Sequence, residues 1–174
     1  MEWIGGTDDA SSFSRQLCPA DHWDLRDLVV LVSSAPKAIS SSEGHRIAGR
    51  HPFMAARQAE LPLCMLATKG AIASRDFGTL GAIVEHEALE VQGIMMSGQP
   101  CALYMQPATL ALLHAVRSWR EDDGLPVYFT LDAGPNVHIL CEGRDAPAVR
   151  ERIEALVPGL AILENRPGSP VRVH

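Results

Sequence analysis

The chain has 174 residues, of which 47% are hydrophobic and 21% charged, and its formal net charge is −6. Those values fit one globular domain able to bury a core without disulfide staples. The acidic balance argues against a general nucleic-acid surface, which needs a basic stripe. Residues 1–26 are rich in Gly, Ser and Asp, with isolated Trp3, Phe13 and Trp23, and read as a loop pinned by those aromatics. Leu28 to Val32 is a short, continuous, β-branched apolar run, the pattern of a buried strand. After Pro36, the serines Ser40, Ser41 and Ser42 precede a helical pattern through Ile47 and Ala48. A serine there suits an N-cap, and a helix start is also an anion site, so both readings stand.

Pro52 opens a second helical stretch, in which Pro62 predicts a kink or break near Glu60. Leu63, Leu66, Ala67, Gly70, Ala71 and Ser74 stand at helical spacing and predict an inward stripe. A third helix is expected from about Asp76 to Met96. Consecutive helix positions diverge, so Glu85, His86 and Glu87 cannot converge on one ion, and Glu87 and Glu90 read as a solvated face. Cys101 to Met105 reads as an edge strand. Pro107 then opens a helix through Asp122 with Gly124 past its end, on which His114 reads as a packing residue.

Val127–Leu131 and Val137–Leu140 are β-prone runs around an Ala-Gly-Pro-Asn corner, with Asp132 at the end of the first run. A carboxylate on a rigid strand end beside a glycine suits acid/base work. The same residue in a turn commonly bonds the turn's own amides, and the spacing does not separate the two. Asp145-Ala-Pro147 predicts the cap of a last helix over 148–157, Leu160 to Leu163 a strand, and Val171 to Val173 one more pairing. Helices set against a mostly antiparallel sheet make an α+β architecture.

Other features narrow the function further. Cys18, Cys64, Cys101 and Cys141 form no C-x-x-C pair and read as free thiols, with Cys64 and Cys141 in the core. The seven histidines show no H-x-H or H-x-x-x-H spacing, so no metal site is expected. No apolar run reaches spanning length and no leader pattern opens the chain, which predicts a cytoplasmic protein with no membrane partner.

The run TLDAGPNVHIL, Thr130 to Leu140, resembles the C-terminal signature of the diphosphomevalonate decarboxylases of the GHMP kinase superfamily. Lys37 to Gly44 and Arg75 to Phe77 match the same family in the same order. The resemblance runs from about Trp3 to about Leu163 and covers only the second half of the family's protein. It implies the GHMP C-terminal domain, a ferredoxin-like, mostly antiparallel sheet backed by helices, over residues 27–174. Residues 1–26 would then belong to the boundary between the two halves. It also implies the ATP- and Mg2+-dependent conversion of mevalonate 5-diphosphate to isopentenyl diphosphate in the mevalonate pathway. Asp132 would be the reacting carboxylate, Ser41 would face the substrate, and Lys37 would meet a phosphate.

No Gly/Ser-rich nucleotide loop, Walker A run or substrate-gripping Ser/Arg loop is present. The expectation is therefore no nucleotide-binding residue in this half and little or no activity of the chain alone. The expected partners are a phosphorylated small molecule, an N-terminal GHMP half and a second copy of the chain. Gln92 stands where many family members carry a histidine near the substrate pocket. That departure keeps open a related phosphomevalonate decarboxylase or mevalonate kinase, and a non-catalytic partner-binding remnant is the third reading.

Overall fold

The computed structural model describes residues 1–168. Within residues 1–26, β1 (Glu2–Ile4) pairs with β2 (Phe13–Arg15) as a hairpin, so the segment is not simply a loop pinned by three aromatics. Trp3 and Phe13 are exposed, and only Trp23 is buried. The reason lies in their partners. Trp23 meets Phe77 edge to face and donates its indole N–H to Glu142 at 2.9 Å, whereas the hairpin presents its aromatics outward.

The remaining elements run β3 (Leu25–Val30), α1 (Ser41–Gly49), α2 (Met54–Ser74), α3 (Phe77–Ser97), α4 (Pro107–Glu121), β4 (Val127–Leu131), β5 (Val137–Glu142), α5 (Ala146–Leu156) and β6 (Ile162–Asn165). The four strands β3 to β6 form one antiparallel sheet in the order β4-β5-β3-β6. Counted along the chain from β3, that is the ferredoxin-like order, with both central strands flanked by the strands that follow a helix. Strand alternation sends Leu28, Val30, Val127, Phe129, Leu131, Val137, Ile139 and Cys141 to one face, where they meet Leu112, Leu113 and Val116 of α4 and Val149 and Ile153 of α5. Each such fully buried side chain contributes about 1.5–3 kcal/mol. The other face carries Leu25, Tyr128 and Leu140, which meet Trp23, Ala71, Phe77 and Leu80.

Helix α3 runs alongside the free edge of β4. Gly81 lies against the Tyr128 ring, and a Cβ there would collide with it. The Phe129 amide donates to Glu85 at 3.1 Å, and Arg120 of α4 grips the same carboxylate and donates to the Val127 carbonyl at 2.8 Å. The unpaired edge of the sheet is thereby capped with side chains rather than left open to another strand.

Several expectations are corrected. Helix α2 continues through Pro62 without a break. Proline removes one ladder bond, but both halves of α2 are held on α3: Arg57 by ion pairs to Glu87 and Glu90, and Ala71 in the core beside Phe77. The apolar stripe of α2 is not inward. Leu63 is 72% and Leu66 69% exposed, and Ala71 is its one buried residue. Residues 101–105 form no strand, although Ala102 and Tyr104 bury against Ile47, Ile94 and Met95. His114 is exposed rather than packed, and Cys64 is half-buried while Cys141 is fully buried. The expected pairing at Val171 to Val173 lies outside the described residues.

Candidate active site at the turn after β4

Alternation along β4 buries Leu131 and therefore turns Asp132 outward, where its side chain is 91% exposed. The main chain beneath it is fixed. The Asp132 carbonyl accepts from Gln92 Nε2 of α3 at 2.8 Å and from the Gly134 amide at 2.8 Å. The Pro135 carbonyl accepts from buried Thr109 Oγ1 of α4 at 2.7 Å, and Asn136 Oδ1 accepts from the Ser33 amide at 3.1 Å. An exposed carboxylate on a turn tied to two helices and a third segment is preorganised for a ligand. Asp132 makes no side-chain hydrogen bond to the turn's amides among the described residues; within the turn the Gly134 amide is met by the main-chain carbonyl of Asp132, and Asn136 ties the turn to Ser33.

Lys37 and Ser41 sit at the same turn. Lys37 Nζ donates to the Ala133 carbonyl and, at 3.2 Å, to Ser41 Oγ. A Cβ on Gly134 would stand 3.3 Å from Lys37 Cε and Nζ, so glycine there lets the lysine approach. Ser40, not Ser41, is the N-cap of α1, and its Oγ accepts from the Glu43 amide at 3.2 Å. The capping role therefore leaves Ser41 free, and the two readings of the serine run fall on different residues.

The turn is a ridge between two clefts. One, of about 400 Å³, is lined by Pro36, Lys37, Tyr104, Gln106 and Pro135. The other, of about 270 Å³, is lined by His45, Arg57, Glu87, Thr130, Asp132 and Ala133. Glu87, which lines the second cleft, and Glu90 are not a solvated face; both bind Arg57, Glu87 at 2.6 Å, across the α2–α3 contact.

Two contributors, His138 and Asp27, could not be singled out from the sequence, and a third, Gln92, stood out there only as a departure from the family pattern. Gln92 is only 1% exposed and is the anchor of the Asp132 carbonyl, while its Oε1 has no hydrogen-bond partner among the described residues. His138 of β5 places Nδ1 3.0 Å from Asp27 of β3 and Nε2 3.9 Å from Asp132. The hydrogen bond to Asp27 raises the His138 ring above its ordinary value, against the opposing effect of burial. Strand parity, which puts residues 27, 132 and 138 on one face, was the available signal; the pairing register was not.

Strand order and the flanking helices define the class, an α+β domain with a ferredoxin-like antiparallel sheet. The chain belongs to the family described as the mevalonate 5-diphosphate decarboxylase C-terminal domain, which matches residues 27–168. It is 28% identical to a phosphomevalonate decarboxylase of Haloferax volcanii over 73% of this chain and 39% of that protein. It is 27% identical to a diphosphomevalonate decarboxylase of Aspergillus fumigatus over 90% of this chain and 40% of that protein. Among solved structures, a mevalonate diphosphate decarboxylase from Enterococcus faecalis superposes with a TM-score of 0.82 at 27% identity, over 94% of this chain and 50% of that one. The chain thus spans two-fifths to one half of the length of these relatives.

Proposed function

We propose that this chain supplies the reacting carboxylate in the ATP-dependent decarboxylation of mevalonate 5-diphosphate to isopentenyl diphosphate. The observation that carries the reading is Asp132, exposed on a turn fixed by Gln92 and Thr109, with Lys37 and Ser41 bonded beside it. Related proteins act on this substrate by name, and a neighbouring structure with a TM-score of 0.84 is a complex with MVAPP, AMPPCP and magnesium.

The chemistry follows from the substrate. Asp132 accepts the proton of the tertiary hydroxyl as that oxygen takes the γ-phosphoryl group of ATP. The new phosphate then departs with the C–O electron pair. The electrons of the C–carboxylate bond form the alkene, and CO2 leaves. Once that proton has passed to solvent, the restored Asp132 charge favours the positive character that develops on the carbon. Ser41 orients the substrate, and Lys37 supplies a cation for a phosphate. Among the described residues no three His, Cys, Asp or Glu side chains form a metal cage. Magnesium is commonly held by substrate phosphates with few protein ligands, so these residues do not by themselves make its site and no step here runs through it.

This reading takes residues 1–26 as the boundary segment between two halves. An N-terminal GHMP half would position the nucleotide, and a second copy of the chain is the other expected partner. Positioning carries much of the rate, so the 174 residues alone should turn over little. A monophosphate substrate is the second reading, favoured by Gln92 at the place of the family histidine and by the likeness to the Haloferax volcanii protein. The test is ATP-dependent CO2 release from mevalonate 5-phosphate and from the 5-diphosphate, by the chain alone and with an N-terminal half added. Release from the diphosphate only in the supplemented sample supports the reading. Preferential release from the monophosphate transfers it to the second one, and no release in any sample opposes both.

A further inference from the structure

We propose that Asp27, His138 and Asp132 form one charge-coupled row across the sheet, in which His138 is the positioning residue that holds the Asp132 carboxylate in place. The proposal rests on the reading of Asp132 as the reacting group.

The three residues come from three different elements. Asp27 lies in β3, His138 in β5, and Asp132 at the end of β4. Register sets His138 opposite Val29 on one side and Thr130 on the other, with Asp27 two residues before Val29 and Asp132 two after Thr130. All three therefore share a face. The Asp27 carboxylate meets Nδ1 with both oxygens, at 3.0 and 3.2 Å, which fixes the ring plane and points Nε2 towards Asp132 at 3.9 Å. The ring is half-buried, whereas Asp132 is 91% exposed and has no other cation in salt-bridge range among the described residues.

The charged groups facing the ring are Asp27 from β3 and Asp132 from the end of β4. The opposing positions Val29 and Thr130, and Leu163 of β6 beside Val29, carry no charge. Between two carboxylates, the imidazolium donates Nδ1–H to Asp27 and presents Nε2–H to Asp132. That gives an exposed carboxylate one fixed attractor. When the ring loses its proton, Nδ1–H stays with Asp27 and the Nε2 lone pair faces Asp132 instead. The attraction then becomes a repulsion. Nothing is transferred to substrate by His138; it acts through Asp132.

The direct test is an NMR titration of the His138 ring in the 174-residue chain, with Asp27→Asn and Asp132→Asn variants whose fold is checked by their amide spectra. The ring should titrate at lower pH in both variants, more so in Asp27→Asn, because coupling between two sites is reciprocal. In enzyme completed with an N-terminal half, His138→Gln should lower kcat about two- to five-fold, the range of an exposed ion pair, with KM little changed. His138→Lys, with its persistent charge, should restore turnover and move the alkaline limb of the pH profile upward. An unchanged ring titration in Asp132→Asn, with the Asp27→Asn shift present, would overturn the row, whatever Asp132 does. A ring that responds to both variants, beside full turnover in Asp132→Asn, would uphold the row and instead refute Asp132 as the reacting carboxylate.

Discussion

Gln92, buried in α3, donates from Nε2 to the main-chain carbonyl of Asp132 at 2.8 Å. One helix side chain thus fixes the backbone under the exposed carboxylate, and the amide's own Oε1 is left without a partner among the described residues. Gln92→Leu removes a donor and an orphaned acceptor together, keeping most of the volume. Stability should therefore change by only about 1 kcal/mol, since a buried acceptor without a partner is itself costly. The turn should loosen nonetheless, because the Asp132 carbonyl keeps only the Gly134 amide. Hydrogen exchange at Gly134 should accelerate, and unchanged protection there would mean that the turn does not need its α3 anchor.

The close approach of α3 to β4 depends on Gly81. Gly81→Ala drives a methyl into the Tyr128 ring and should cost about 1–3 kcal/mol, the usual penalty for overpacking. Gly93 lies in the same helix with nothing within 4 Å of an added Cβ. Gly93→Ala should stabilise by about 0.5–1 kcal/mol, through helix propensity. Urea melts of the two variants should move in opposite directions.

The His138–Asp27 pair makes stability depend on pH with a definite sign. The ring's affinity for a proton is raised in the folded state. Its contribution is complete below about pH 6.5, the unfolded value, and disappears as pH rises through the raised folded value. His138→Gln should therefore destabilise more at pH 6 than at pH 9. Equal losses at both, in paired denaturant melts, would show that the pair does not couple to folding.

Thiol reactivity separates Cys141 from Cys101. Cys141 is fully buried, and burial pushes its thiol up to about 12, so it should resist an aromatic disulfide reagent until the protein unfolds. Cys101 is exposed and should react in the native state. Mass spectrometry after native and denatured labelling reads both.

The regular part of the fold was legible because it depends on local pattern. β-Branched runs placed β3, β4 and β5, Asp76 and Pro107 marked the starts of α3 and α4, and the end of the run Val127–Leu131 located Asp132. What failed required knowledge of partners. The stripe on α2 has helical spacing, but spacing identifies a face and not what covers it, so Leu63 and Leu66 were placed inside. Pro62 predicted a break because the ties of Arg57 to Glu87 and Glu90, some thirty residues away, are invisible in a local window. Within the serine run, only geometry assigns the cap to Ser40 and the Lys37 contact to Ser41. Gln92 stood out as a departure from the family pattern, yet its bond to the Asp132 carbonyl follows from how α3 lies along β4. His138 had the correct parity, but its meeting with Asp27 is a matter of register.

The measurement that bears most directly on the central claim is ATP-dependent CO2 release from mevalonate 5-diphosphate by the chain completed with an N-terminal half, comparing wild type with Asp132→Asn. Loss of a group that takes a proton in the reaction lowers turnover by about 10²–10⁴-fold, and a fall of that size with folding intact is the predicted result. Turnover in Asp132→Asn equal to wild type would contradict the assignment and require another residue of the turn, or of the added half, to take the proton.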